Sequence, residues 1–322
     1  MRLSSPLPVL WGRAMSSGQV ERHYDKQAQH SKSRKRAIQE RKKGKLYNYK
    51  RFANAVKRNM FKKYAKNATL LLDLGCGRGG DIAKWRDANI RKVLAIDLSN
   101  EQLQEAKRRD KEDLSKRRGA CSRIEFIHTS MMQPELAKIL LARPESTFDQ
   151  TKFSCICAQF AIQYAFSSEK SACDLLRQVG ELLDDGGLFF GIAPCAESIC
   201  NFMEKRGNSA MVHLAPPDYP FSLRLKVHRA ASNSKFGHEL IFSLEDTVTA
   251  GSESDACTEF LLDQGVLKEL ASRHGLFQVE MSPMAVCECD PPEAWSRLSS
   301  SEREVASLYF SFCFEKRTET SQ

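Results

Sequence analysis

Thr69-Leu70-Leu71-Leu72-Asp73-Leu74-Gly75-Cys76-Gly77-Arg78-Gly79-Gly80-Asp81 runs from an apolar stretch into a glycine cluster and ends on an acid. The apolar part is short and unbroken, which predicts a buried strand rather than one with a wet face. Gly75-x-Gly77-x-x-Gly80 then allows a tight turn and lets backbone N–H groups approach a ligand. Ile82 to Arg86 predicts the start of a helix. Val93-Leu94-Ala95-Ile96-Asp97 predicts a second strand, ending on an acid 22 residues after Gly75. A carboxylate there can accept hydrogen bonds from the ribose of a nucleoside.

Outward from this unit the alternation continues. A charged helix is expected around 100–118, a third strand at Ile124–His128 and a fourth at Phe153–Ala158. A helix over 170–183 leads to the turn Asp184-Asp185-Gly186-Gly187 and a fifth strand, Leu188–Ile192. Strands alternating with helices imply a parallel sheet covered on both faces. Residues 195–245 break the rhythm, with a hairpin expected from 223–230 and 238–244. A helix at 258–274 and strands at 277–287 and 307–315 would close the sheet. The stretch 296–304 reads as an exposed turn or helix start. Upstream, Leu46, Phe52, Val56, Met60, Phe61 and Tyr64 recur at helical spacing among lysines, predicting an amphipathic helix over 46–66.

Charge is unevenly spread. The 322 residues carry 49 Lys+Arg and 40 Asp+Glu. Residues 1–66 hold 19 basic and 3 acidic side chains, a net of +16, which leaves 30 basic and 37 acidic, a net of −7. A basic arm over 1–45, read as disordered, on a mildly acidic body points to a polyanionic partner. Hydrophobic residues make up 42% and charged ones 28%, an ordinary globular balance, and no apolar run reaches membrane-spanning length. The 11 cysteines are odd in number and include no C-x-x-C pair. Cys155/Cys157 and Cys287/Cys289 are C-x-C pairs without an evident partner to complete four zinc ligands, so no metal is expected.

The acids beside the glycines select among nucleoside ligands. A pyrophosphate needs an open helix N-terminus. Asp73 and Asp81 would repel it, yet both suit a cationic ligand such as S-adenosylmethionine. At these residues the chain resembles the class I S-adenosylmethionine-dependent methyltransferases. That resemblance implies an α/β fold: a Rossmann-like sheet, mostly parallel with an antiparallel C-terminal strand, helices on both faces and an insert after the fifth strand.

Four stretches narrow the resemblance to the eukaryotic mRNA cap guanine-N7 methyltransferases. Leu72–Asp81 with Lys84-Trp85 is similar to that family's D-L-G-C-G-K-G-G-D and following K-W. Tyr49–Lys57 is similar to its R-N-F-N-N-W-x-K helix. Gln159-Phe160-Ala161-Ile162-Gln163-Tyr164-Ala165-Phe166 is similar to its Q-F-x-x-H-Y-x-F loop, and Ser301–Tyr309 to the segment before a final F-E-K, here Phe314-Glu315-Lys316. The resemblance implies one methyltransferase domain over 46–318, with the inserted hairpin region at about 195–245. It implies an enzyme that moves a methyl group from S-adenosylmethionine to N7 of the terminal guanosine of capped mRNA.

By the same resemblance, Lys57, Asp73, Gly75, Asp97, Ser130, Gln159 and Tyr164 would bind the cofactor. Asn54, Arg78, Lys84, Arg109, Gln163, Glu259 and Tyr309 would bind the cap, with Tyr164 and Glu259 positioning the reactants and no acid–base residue. Ala53, Ala55, Gln163 and Ser130 depart from the family's Asn, Trp, His and Asp, which marks a divergent member. The alternatives are a methyltransferase for another RNA or small molecule, or a catalytically weak cap- or RNA-binding module. The expected partner is the capped 5′ end of mRNA, with an activating subunit or other capping enzymes allowed and no membrane. Lys32–Arg36 and Arg41–Lys43 suit nuclear import or RNA contact, giving the nucleus as the expected compartment; cytoplasm and mitochondrion are the alternatives, the latter on the acid-free, Arg-containing first 20 residues.

Overall fold

The computed structural model describes Gly18, Glu21, Arg22, Asp25 and residues 44–116, 122–142, 152–230, 233–245 and 258–318. Most of the arm therefore lies outside the described residues. Helix α1, Tyr47–Tyr64, leads into β1 (Leu70–Leu74), α2 (Ile82–Asp87), β2 (Lys92–Asp97), α3 (Asn100–Leu114), β3 (Arg123–His128) and α4 (Leu136–Leu141). Then come β4 (Phe153–Gln159), a 3-10 turn at Ile162–Ser167, α5 (Glu169–Leu182), β5 (Leu183–Pro194) and α6 (Ala196–Glu204). Strands β6 (Met211–Leu214), β7 (Leu223–His228), β8 (Glu239–Leu244) and β9 (Thr258–Phe260) follow, then α7 (Gln264–Ser272), β10 (Leu276–Pro283), α8 (Ser300–Ala306) and β11 (Tyr309–Lys316).

The large sheet has the order β10-β11-β5-β4-β1-β2-β3. Its pairings from β5 through β3 are parallel, and β11 enters antiparallel to β5 and β10. Side chains alternate between its faces, as strand geometry demands. Leu71, Cys155, Cys157 and Phe190 join the core beneath α1, whereas Leu70, Leu72, Ile156 and Phe189 join the core beneath α5 and α7. The two cysteines of the first C-x-C pair thus share one face as buried thiols, and all described cysteines are free.

Helix α1 is held by its apolar stripe. Phe52, Val56 and Phe61 are fully buried, and Phe61 meets Phe190 edge-on at 5.4 Å. Each such Phe contributes about 1.5–3 kcal/mol of burial. Its first turn receives a second anchor: Glu302, buried in the capping box of α8, accepts the Tyr49 N–H at 2.9 Å. Stretch 296–304 is thus the start of a helix.

Three expectations change. The helix expected over 258–274 begins as strand β9, because Thr258 and Glu259 pair with Ile241 and Leu240; Asp263 then caps α7 by accepting from Val266 N–H. The turn at 184–187 is drawn into the start of β5, which is longer than expected. The hairpin at 223–244 is the centre of a four-stranded sheet, β6-β7-β8-β9, whose inner face of Leu223, Leu225, Leu240 and Phe242 packs into the α1-side core. Helices α4 and α6 had no signal strong enough to place them.

Gly191 sets how closely β5 approaches β4. A Cβ there would lie 2.1 Å from the Ala158 carbonyl oxygen and 2.8 Å from the Phe312 ring. Gly191→Ala should therefore lower stability by roughly 3 kcal/mol or more, read as a lower urea midpoint. An unchanged midpoint would contradict this packing.

Candidate active site

The candidate site lies at the carboxyl ends of β1, β2, β4 and β5, the usual ligand edge of such sheets. Its floor is the glycine turn. Gly75 has φ +90°, and a Cβ there would stand 3.0 Å from that of Ala161. Gly79, at φ +68°, leaves even less room, with Ile82 Cδ1 at 2.5 Å. Backbone rather than side chain therefore faces a ligand at this turn.

Asp97, at the end of β2, accepts from Gly77 N–H at 2.7 Å and from Ser99 N–H at 2.9 Å. Burial nevertheless raises its pKa, with these two bonds opposing. Asp73 is almost wholly buried, and its Oδ1 has no hydrogen-bond partner. Burial, helped by the Asp81 charge and opposed by Lys57, pushes its pKa up to about 8. Gln159, at the end of β4, is also buried, and neither its amide oxygen nor its nitrogen has a partner. Unmet polar atoms of this kind are costly unless a ligand satisfies them.

Asp81 fares differently. Lys57 approaches its Oδ1 at 2.8 Å and Lys84 at 2.7 Å. Burial opposes its ionisation, yet the two ammonium groups hold it well below the usual carboxylate range. The acid expected to suit a cationic ligand is thus already neutralised from within. Lys84 is buried too, and also donates to Asn54 Oδ1 at 2.7 Å and Gly80 O at 3.0 Å. Two hydrogen bonds and one ion pair thus hold its ammonium group. The structure thus sets Lys84 under the loop, tying it to α1, rather than on an open phosphate-facing surface. Lys57 also lies 5.9 Å from the Phe160 ring centre.

A second half of the site is aromatic and acidic. Glu259, on the inner side of β9, is buried and accepts from Tyr164 Oη at 3.2 Å. Burial raises its pKa to about 7, with hydrogen bonds from Tyr164 and Gln163 opposing. Gln163, itself buried, donates to Phe160 O at 3.0 Å. Tyr309, at the start of β11, feels the Glu259 charge and packs edge-on against Phe160 at 5.2 Å and Phe242 at 5.7 Å. Phe160 is held at φ +60°, a costly conformation for an aromatic residue that persists only where its surroundings enforce it. Its ring is the wall between the two halves.

The structure thus joins Lys57, Asp73, Gly75, Asp97 and Gln159 around the turn, and Gln163, Tyr164, Glu259 and Tyr309 in a second cluster. Ser130 Oγ accepts from Met132 N–H at 3.0 Å in the segment after β3. Arg78 lies in the glycine turn itself. Arg109 is on α3, bonded to Glu105 at 2.7 Å. Phe160 and Phe242 were not singled out from sequence. Inward alternation of Leu240, Phe242 and Leu244 along β8 was the available signal for Phe242. Among the described residues, no group of three or more His, Cys, Asp or Glu side chains could hold a metal ion.

The residues around the turn fit S-adenosylmethionine: carboxylates for its cationic end and ribose, unmet amide atoms, and a backbone that approaches closely. Solved structures with the same fold include an S-adenosylmethionine-dependent methyltransferase from Clostridium acetobutylicum ATCC 824, with TM-score 0.50 and 12% identity over 84% of this chain and 92% of that one. The CcbJ methyltransferase from Streptomyces caelestis has TM-score 0.52 and 14% identity over 82% of this chain and 89% of that one. By sequence, the chain is 28% identical over 315 residues to mRNA cap guanine-N(7) methyltransferase 1 of Arabidopsis thaliana, covering 90% of this chain and 80% of that protein. It is 27% identical over 296 residues to the mRNA cap guanine-N(7) methyltransferase of Schizosaccharomyces pombe, covering 83% and 75%. The model of the mRNA (guanine-N(7))-methyltransferase domain matches residues 14–288, so it takes in part of the basic arm. The turn-side residues and this match over most of the chain agree: the protein belongs to the mRNA (guanine-N(7))-methyltransferase family.

Proposed function

We propose that the turn-side half binds S-adenosylmethionine and that the Glu259 pocket binds the cap guanine, so that the methyl group passes to N7 beside the Phe160 ring. The observation that carries this is Glu259: a buried carboxylate bonded by Tyr164 and close to Tyr309, whose ring packs on Phe160 and Phe242, with Phe160 reaching Lys57 of the cofactor half. Aromatic walls suit a purine, and an ionised carboxylate accepts from the guanine N1–H and exocyclic amine, which adenine cannot match.

S-adenosylmethionine supplies an electrophilic methyl group. The chain's own residues supply position. Asp97 holds the ribose, while Asp73 and Gln159 face the methionine end. Lys57 meets the methionine carboxylate, sharing its charge with Asp81. Guanine N7 has a lone pair and no proton, so no residue has to remove one. Fixing the two reactants in line can recover about 7–11 kcal/mol of the barrier. Methylation leaves the purine ring cationic, and the Glu259 charge favours that product. Arg78 and Arg109 support the triphosphate bridge, while Lys84 acts through Asn54 and Asp81. The basic clusters of the arm support salt-sensitive RNA attraction and a nuclear location.

Glu259 must be ionised to accept both guanine donors, and its pKa stands at about 7. The kcat/KM for capped RNA should thus rise as pH passes from about 6 to about 8. In Glu259→Gln, kcat/KM on GpppG-capped RNA should fall about tenfold or more and lose that pH step. A variant as active as the parent, with the step intact, would remove Glu259 from the cap pocket.

Asp73 gives a stability test. Its pKa is about 8 in the fold against an ordinary 3.8, so between those values the folded chain holds a proton that the unfolded chain has lost. Stability of the ligand-free protein should therefore fall as pH rises through that window. Asp73→Asn should flatten part of this fall, Glu259 and Asp97 contributing to what remains, and should weaken S-adenosylmethionine binding. Urea midpoints at several pH values and calorimetric titration read both; an unaltered slope would contradict the buried, proton-holding Asp73.

A further inference from the structure

Acidic side chains of the basic arm reach the adenosine end of the cofactor half. Gly18, Glu21, Arg22 and Asp25 are helical. Asp25 Oδ1 accepts from Ser99 Oγ at 2.5 Å, and Glu21 Oε1 lies 3.4 Å from His128 Nε2. Both receiving residues adjoin Asp97. Ser99 donates its backbone N–H to Asp97 Oδ1, and His128 is the register partner of Asp97 across the β2–β3 pairing.

Ser99 is fully buried, and its hydroxyl has two duties. It accepts from Gln102 N–H at 3.2 Å, capping α3, and donates to Asp25. The short bond to a carboxylate is the stronger, charge-assisted one. It tethers Ser99, whose backbone N–H is aimed at Asp97, to the arm. His128 Nε2, also 2.7 Å from Leu98 O, ties the neighbouring strand end to Glu21. The family match beginning at residue 14 takes in this stretch.

We propose that the stretch holding Glu21 and Asp25 is a latch on the adenosine end of the cofactor site, with Asp25 a positioning residue that acts on Asp97 through Ser99. The inference rests on Asp97 being the ribose ligand. It divides the arm by function: an acidic latch for the cofactor at 21–25, and basic clusters at 32–36 and 41–43 for RNA. The latch works against a like charge. Asp25 also meets the Glu101 carboxyl, and their hydrogen bond, with the Asp25 charge, raises the Glu101 pKa. Removing that charge should tighten the latch.

Calorimetric titration of the full chain with S-adenosylhomocysteine, alongside KM for GpppG-capped RNA, tests this. Asp25→Ala should weaken S-adenosylhomocysteine about tenfold, the weight of one charged hydrogen bond, with the RNA KM within about twofold. Asp25→Asn keeps an acceptor oxygen without the charge and should fall between the parent and Asp25→Ala, and Glu101→Gln should bind at least as tightly as the parent. Unchanged affinity in Asp25→Ala, an equal loss for RNA and cofactor, or weaker binding in Glu101→Gln would each overturn the latch. Asp97→Ala separates the two levels: full S-adenosylhomocysteine affinity in that variant would defeat the ribose reading itself.

Discussion

Asp81 sits buried between two lysines from different elements, and the site is arranged around that contact. Lys57 comes from α1 and Lys84 from α2, while Asp81 ends the glycine turn. Burying one carboxylate with two ammonium groups is costly unless every partner stays in place. Here each does: Lys84 also bonds Asn54 and Gly80, and α1 is anchored by Phe61 on Phe190 and by Glu302 on Tyr49 N–H. The triad thereby fixes α1 over the turn. It also leaves a net positive charge beside the glycine turn.

With Asp81 neutralised internally, the remaining acids divide the chemistry. Asp73 and Asp97 lie around the glycine turn and Glu259 lies beside Tyr164 and Tyr309, and burial raises the pKa of each. The protein thus holds carboxyl groups that are reluctant to ionise alone and gain charge when a cation or a pair of N–H donors arrives. This gives physical content to the charge asymmetry of the chain. The net of −7 outside the first 66 residues includes these acids, whereas the +16 region combines basic clusters with α1 and two acids that reach Ser99 and His128.

Much of this was legible from the residues. The strand–glycine–helix unit, the spaced Asp97 and the alternating apolar runs specify a parallel sheet, because each signal is local and repeats. The parts that were not legible depend on distant pairing. Thr258-Glu259-Phe260 reads as helical until β8 offers it a partner strand. Lys84 reads as an exposed helix lysine until Asn54, thirty positions earlier, accepts from it. Phe242 looks like ordinary core until Tyr309 arrives beside it from the last strand. Asp25 among basic neighbours gives no sign of Ser99, seventy-four positions away.

The most direct test is where the methyl group lands. Incubating the protein with S-adenosylmethionine and RNA bearing a GpppG cap, digesting to nucleosides and identifying the methylated one by mass spectrometry reads the position outright. Methyl on N7 of the cap guanosine, and none on the same RNA with a 5′-triphosphate end, is the predicted result. Methyl on an internal nucleotide or on another atom of the cap, or no transfer at all, would contradict a guanine held by Glu259 beside the cofactor.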